Sequence, residues 1–272
     1  MPSILLIAPE TSYRIAPYLN TARDMGLDVW LVAHGPALPT NSKLFQSIHI
    51  DLRQPDAAVE TILAAAGGRD IAGVVATDDS TVEIAANVAA ALNLPHNPLS
   101  AAACSRRKDL ARARLQAAKL PVPAHQCLNL DNALEPQLVG QRYPCVIKPV
   151  AFSGSRGVIR ADSQDELMAA CARVQTMLGD AENPEERTIL LVENYIPGME
   201  IAVEAILHRG KLIVLTIFDK PDPLEGPYFE ETYYITPTAL ALDMQGCVAN
   251  RVAQACAAYG LTEGPVHAEL RV

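Results

Sequence analysis

The sequence predicts an α/β protein in which an open parallel sheet is followed by a second, α+β region. Three observations carry this. Through residues 1–96, short apolar runs alternate with helix-like segments across brief connections, the pattern of a parallel sheet covered by helices. Pro95-His96-Asn97-Pro98 then interrupts the pattern with turn-forming residues. Beyond it two apolar runs flank His208-Arg209-Gly210, which reads as a tight hairpin turn between antiparallel strands.

Taken in order, residues 3–8 read as a buried parallel strand, continuous in apolar residues because both faces are covered. A helix-like segment runs to about Met25 and stops at Gly26, and residues 27–32 form a second strand. Residues 47–50 are a short third strand. Residues 56–66 are helical, with Gly67-Gly68 as the stop. Residues 71–76 are a fourth strand and 80–92 an alanine-rich helix. The loop after the first strand, Pro9-Glu10-Thr11-Ser12-Tyr13, has no G-x-G-x-x-G, so no nucleotide is placed there. Ligands of open α/β sheets lie beyond the carboxyl ends of the strands, where Thr77, Asp78 and Asp79 fall and could bond a substrate amine. A helix cap by Asp79 or Ser80 is the simpler reading.

Ser100 opens a helix to about Lys119 that carries Arg106, Arg107, Lys108, Arg112 and Arg114, a run usually explained as a solvated basic face. Pro121 and Pro123 break it. Residues 124–128 form an edge strand, 132–140 a short helix, 157–161 a strand, 165–178 a helix and 179–187 an acidic loop. Extended runs follow at 189–194, 201–206, 211–217 and 229–235, then a helix at 239–259 and a final strand at 265–272.

At 272 residues the chain can bury two or three small cores. Half of it is hydrophobic and 19% charged, a globular balance, and a net charge of −9 argues against a nucleic-acid partner. Six cysteines include no C-x-x-C pair, so neither a disulfide framework nor a zinc site has spacing support, and reduced, buried thiols in a cytoplasmic protein are expected. The N-terminus lacks the basic region of a signal peptide, and no run is long enough to cross a bilayer, so no membrane partner is expected.

The stretch Cys145-Val146-Ile147-Lys148-Pro149-Val150-Ala151-Phe152-Ser153-Gly154-Ser155-Arg156-Gly157 is the richest in chemistry. A buried strand ends in a lysine, then a proline, then a loop of small residues. A lysine there is costly unless an anion meets it, and a Ser/Gly loop can bring several backbone N–H groups to phosphate oxygens. The plainer reading is a snorkelling lysine before a surface loop.

Three further features align with it: Lys108 in Arg106-Arg107-Lys108-Asp109; Glu193 and Glu200, which bracket Tyr195-Ile196; and the strand His267-Ala268-Glu269-Leu270-Arg271. Together they resemble the ATP-grasp superfamily, in particular its carboxylate–amine ligase branch and the bacterial L-amino-acid ligases. The resemblance implies an N-terminal domain at 1–96, a linker helix at 97–120, and a two-lobed ATP-grasp domain with a small lobe at 121–188 and a large lobe at 189–272. It implies that Lys108 and Lys148 hold the phosphates of ATP and that Ser153, Gly154, Ser155 and Gly157 lie in a loop folding over them. Glu193, Tyr195 and Ile196 become the hinge that reads adenine, Glu200 the ribose ligand, and Glu269 the first of two acidic ligands to Mg²⁺, or Mn²⁺ in its place.

Plainer readings stand beside these. Glu200 and Glu204 can simply alternate onto the open face of a sheet. His267 shares a face with Glu269 and serves equally as a packing residue or a substrate contact, while Arg271, on the same face, could hold a carboxylate or phosphate. The family's second motif, Glu-x-Asn-x-Arg, does not follow Glu269, so the large lobe is read as incomplete, the chain as a fragment of a longer protein, and these 272 residues alone as inactive. The implied activity joins a small carboxylic acid, most simply an amino acid, to an amine through an acylphosphate, in an assembly for which a homodimer is one option. A biotin-carboxylase-like or purine-biosynthesis ligase shares the same nucleotide site, and a non-catalytic nucleotide-binding unit is the reading from a different class.

Overall fold

The computed structural model describes residues 2–10, 12–34, 45–181 and 183–272, the side chain of Asp180 excepted. Met1, Thr11 of the first loop and Glu182 of the acidic loop therefore lie outside the described residues. The chain forms two compact units, Met1–Ala103 and Cys104–Val272.

In the first unit the elements are β1 (Ser3–Ala8), α1 (Ile15–Asp24), β2 (Asp28–His34), β3 (Gln46–Ile50), α2 (Pro55–Ala66), β4 (Ile71–Ala76) and α3 (Val82–Ala91). The strands run parallel in the order β3-β2-β1-β4. Burial explains the unbroken apolar runs. Leu5 and Ile7 of β1 pack with Ile62 of α2 and Val88 of α3, while Leu6 and Ala8 turn the other way toward Ala22 and Leu19 of α1. At the end of β4 no side chain caps a helix, contrary to the cap expected from Asp79 or Ser80; a short 3₁₀ turn leads into α3 instead. The Asp78 carboxylate accepts from Ser12 Oγ and Thr77 Oγ1, each at 2.5 Å, and from Arg14 Nη1 at 2.9 Å, tying the loop after β1 to the end of β4.

The expected single helix at 100–119 is two. α4 (Leu99–Arg106) and α5 (Lys108–Ala117) are separated at Arg107, whose backbone is extended. The helical ladder is interrupted because Lys108 N–H bonds the Val150 carbonyl at 2.8 Å. Nor is the arginine run a solvated face, except at the exposed Arg114. The Arg106 guanidinium bonds Glu186, Arg107 grips Asp109 at 2.7 and 2.9 Å, and Arg112 bonds Glu193, with all three arginine side chains largely buried.

The second unit continues with β5 (His125–Asn129), α6 (Leu134–Gln137), β6 (Cys145–Pro149), β7 (Ile159–Ala161), α7 (Gln164–Met177) and β8 (Ile189–Asn194). These four strands form an antiparallel sheet in the order β5-β8-β6-β7, so β5 is an edge strand and β8, grouped by sequence with the later strands, lies between β5 and β6. Leu167, Cys171 and Val174 of α7 cover Ile147 of β6 and Val192 of β8. Ser163 caps α7 by accepting from Glu166 N–H.

A second antiparallel sheet follows: β9 (Glu200–His208), β10 (Lys211–Lys220) and β11 (Gly264–Arg271), in the order β10-β9-β11, with α8 (Leu242–Tyr259) across one face. The β9–β10 hairpin turns through Arg209 and Gly210, both at positive φ, the backbone a two-residue turn requires. Residues 229–235 are not a ladder strand. Their backbone pairing with the sheets is limited to an isolated bridge from Ile235 to Asp219, with a second from the neighbouring Tyr228 to Ile159. Of the six thiols Cys127 and Cys247 are exposed rather than buried, and none is in a disulfide. Among the described residues no helix is long and apolar enough to cross a membrane.

Candidate functional site

Lys148 is the fourth residue of β6, and its ammonium donates to Glu193 Oε1 on the adjacent β8. Arg112 of α5 reaches the same carboxylate from the other side, at 2.8 Å and 3.3 Å. Glu193 is buried, which raises its pKa, but the two cations outweigh burial and hold it at about 2. Lys108 arrives at the same strand end. Its backbone N–H takes the Val150 carbonyl and its ammonium the Phe152 carbonyl, so both lysines sit at the mouth of the small-residue loop. That loop turns through Gly154, Ser155 and Gly157, all at positive φ. At Gly157 a Cβ would lie 2.9 Å from the Pro149 ring, so only glycine fits.

The connector from β8 to β9 holds Tyr195 and Ile196. Tyr195 N–H bonds the Pro144 carbonyl, and Met199 exchanges backbone hydrogen bonds with Val272. Gly198 is required here, because a Cβ would fall 2.5 Å from the Val272 carbonyl. Arg271 is wholly engaged in this connector. It donates to Glu200 Oε2 at 3.2 Å, Tyr195 Oη at 3.2 Å, the Ile196 carbonyl at 2.9 Å and the Leu224 carbonyl at 2.8 Å. The guanidinium read as a carboxylate or phosphate holder is here a strut joining β11, the connector and the segment after β10.

Side chains on the open face of the second sheet fall in three rows set by register. Lys220, Glu200 and Arg271 lie side by side; then Phe218, Ala202 and Glu269; then Thr216, Glu204 and His267. Glu200 and Glu204 do alternate onto this face, with Ile201, Val203, Ala205 and Leu207 turned to α8. His267 Nδ1 lies 2.7 Å from Glu204, and its Nε2 is 3.5 Å from Glu269. The carboxylates of Glu269 and Glu204 raise its pKa to about 9 against the pull of burial, so at neutral pH it is a charged donor rather than a packing residue or a base. The His267 bond lowers Glu269 to about 2, burial opposing and the Lys220 ammonium assisting.

Lys220 is the residue to which sequence reasoning gave no role, although the segment 219–231 that holds it also resembles the ligase branch. It is 1% exposed, and its ammonium donates to Glu200 Oε1 and Glu231 Oε1 at 2.8 Å each and to Glu269 Oε1. Ala202, only a methyl group between Lys220 and Glu269 on the face, leaves the room for that reach. Burial works against the lysine's charge, but the three carboxylates prevail and hold its pKa above the ordinary range.

The second unit is thus a lysine-bearing antiparallel sheet with a Ser/Gly loop, joined through a short connector to a second antiparallel sheet with an acidic face. Residues 141–272 match the family model for the ATP-grasp domain and residues 19–96 that for the ATP-grasp N-terminal domain; the chain belongs to the ATP-grasp superfamily. It is similar to the crystal structure of an L-amino acid ligase from Bacillus licheniformis, with a TM-score of 0.82 and 26% identity over the whole of this chain and 64% of that one. It is 26% identical to the Sinorhizobium fredii protein y4rH, matching all of this chain and 55% of that protein. Carnosine synthase 1 of Gallus gallus is 29% identical over 48% of this chain and 14% of its own. The chain thus spans between half and two thirds of the length of the first two.

Proposed function

We propose that the chain supplies the nucleotide-holding part of an ATP-dependent ligase that joins a small carboxylic acid, most simply an amino acid, to an amine. The observation that carries this reading is the convergence of Lys108 and Lys148 on one strand end, beside a loop that requires glycine at Gly157. The likeness to an L-amino acid ligase supports the substrate class.

In this reading Lys108 and Lys148 exchange their present oxygen partners for phosphate oxygens, each acting as a compact point charge. Residues 153–157 close over the phosphates and exclude water that would hydrolyse an acylphosphate. The connector at Tyr195 and Ile196 borders the base, and Glu200, held by Lys220 and Arg271, keeps lone pairs on its two oxygens for ribose hydroxyls. Arg271 positions the connector and touches no reacting group. His267 orients Glu269.

A divalent cation fits the donor set. Glu269 is an ionised hard-oxygen donor, 45% exposed, and its Oε2 has no protein partner among the described residues. When bound, magnesium supplies positive charge at the phosphate oxygens. In the reaction a substrate carboxylate oxygen bonds the γ-phosphorus as the bridging P–O bond to ADP breaks. An amine nitrogen then bonds the acyl carbon as phosphate leaves. The protein's part is placement and charge, so no covalent nucleophile is required.

The test is ADP release by the whole protein across a panel of amino acids, supplied singly and in pairs. Release that rises with a carboxylate–amine pair, together with an amide product, is expected. ATP binding with no substrate-stimulated release across the panel would contradict the ligase reading.

A further inference from the structure

The three carboxylates around Lys220 reach its ammonium from separate segments: Glu200 from β9, Glu269 from β11 and Glu231 from the segment after β10. Their oxygens lie within 4.8 Å of one another, close enough to enclose a metal ion. The second oxygens are disposed unequally. Glu200 Oε2 accepts from Arg271, and Glu231 Oε2 accepts from the Tyr234 hydroxyl. Glu269 Oε2 alone of the three has no protein partner among the described residues.

We propose that Lys220 is a positioning residue, a resident counter-ion that fills the centre of this trio, keeps divalent ions out of it, and leaves them only the outer oxygen of Glu269. The proposal rests on the reading of Glu269 as the cation-binding group. The physical case is electrostatic. Three carboxylates this close repel one another strongly in a partly buried setting, and some cation must sit among them. An ammonium has three donors for three acceptors and is tethered to the chain. A divalent ion would satisfy the same oxygens, but it would be fixed before any nucleotide arrived and displaced from the unpartnered oxygen of Glu269. With Lys220 in place a single outward carboxylate oxygen is too poor a site to hold the ion alone, so the ion arrives with its phosphates.

The experiment is Mn²⁺ binding by the chain, followed through the free-ion paramagnetic resonance signal, with and without ATP. Without nucleotide the wild-type chain is expected to leave the signal unchanged, and so is Lys220→Arg. Lys220→Met is expected to take up one Mn²⁺ per chain at least roughly tenfold more tightly than wild type. A folded Lys220→Met that binds no more Mn²⁺ than wild type overturns the proposal. So does a wild-type chain that binds Mn²⁺ without nucleotide and loses it in Glu231→Gln, an arm that holds even if Lys220→Met does not fold. Failure of the Glu269 reading shows separately, as a wild-type Mn²⁺–ATP complex indifferent to Glu269→Gln, and removes the outer-oxygen half of the proposal.

Discussion

Glu193 and His267 are both locked into ion pairs, yet they respond to pH in opposite directions. Glu193 has a folded pKa near 2 against an ordinary 4.5, so its contribution to stability is complete above 4.5 and disappears as pH falls toward 2. His267 has a folded pKa near 9 against 6.5, so its contribution is complete below 6.5 and disappears as pH rises through 9. Urea midpoints should therefore fall less steeply at the acid end in Glu193→Gln than in wild type, and that variant starts about 3 kcal/mol less stable because Lys148 and Arg112 lose their shared partner. An acid limb as steep in Glu193→Gln as in wild type would contradict that role. Lys148 and Glu193 were both legible as single residues in the sequence. Their mutual bond was not, because it depends on β8 lying beside β6, a pairing that no local pattern announces.

At the scale of elements, the facing of Lys220 is set by a β-bulge, which a strand read as ending at residue 217 does not reveal. Counting from the Arg209-Gly210 turn, Lys211 faces His208, and strict alternation would then put Lys220 on the face packed by α8. The ladder shifts between Val214 and Thr216, leaving Leu215 over, and this one extra residue turns Thr216, Phe218 and Lys220 onto the acidic face. Deleting Leu215 should drive Lys220 toward Val248 and Val252 and lower stability by roughly 3–5 kcal/mol, read from thermal or urea melts. A deletion variant that melts like wild type would mean that the bulge does not set the facing of Lys220. The split of the expected helix at 100–119 has a similar origin. Its residues favour a helix throughout, but a tertiary bond from Lys108 N–H to Val150 takes precedence over local preference.

At the scale of the whole molecule, the parallel sheet was legible because both faces of β1 are buried and its residues are apolar without interruption. The two antiparallel sheets were legible as strands but not as sheets. Strand β8 was grouped forward by sequence proximity, whereas it pairs with β5 and β6. In the proposed site Lys148 lies on the first antiparallel sheet and Lys108 at the start of α5, while Glu200 and Glu269 lie on the second antiparallel sheet. The central claim, that Lys148 and Lys108 form the phosphate side of an ATP site, is tested most directly by calorimetric titration of Mg-ATP into wild type, Lys148→Ala and Lys119→Ala. Lys119 is an exposed lysine just past the end of α5 and serves as the control for charge alone. Lys148→Ala should weaken binding by roughly tenfold to a hundredfold while Lys119→Ala leaves it within about twofold. Equal losses in the two variants, or none in Lys148→Ala, would contradict the account.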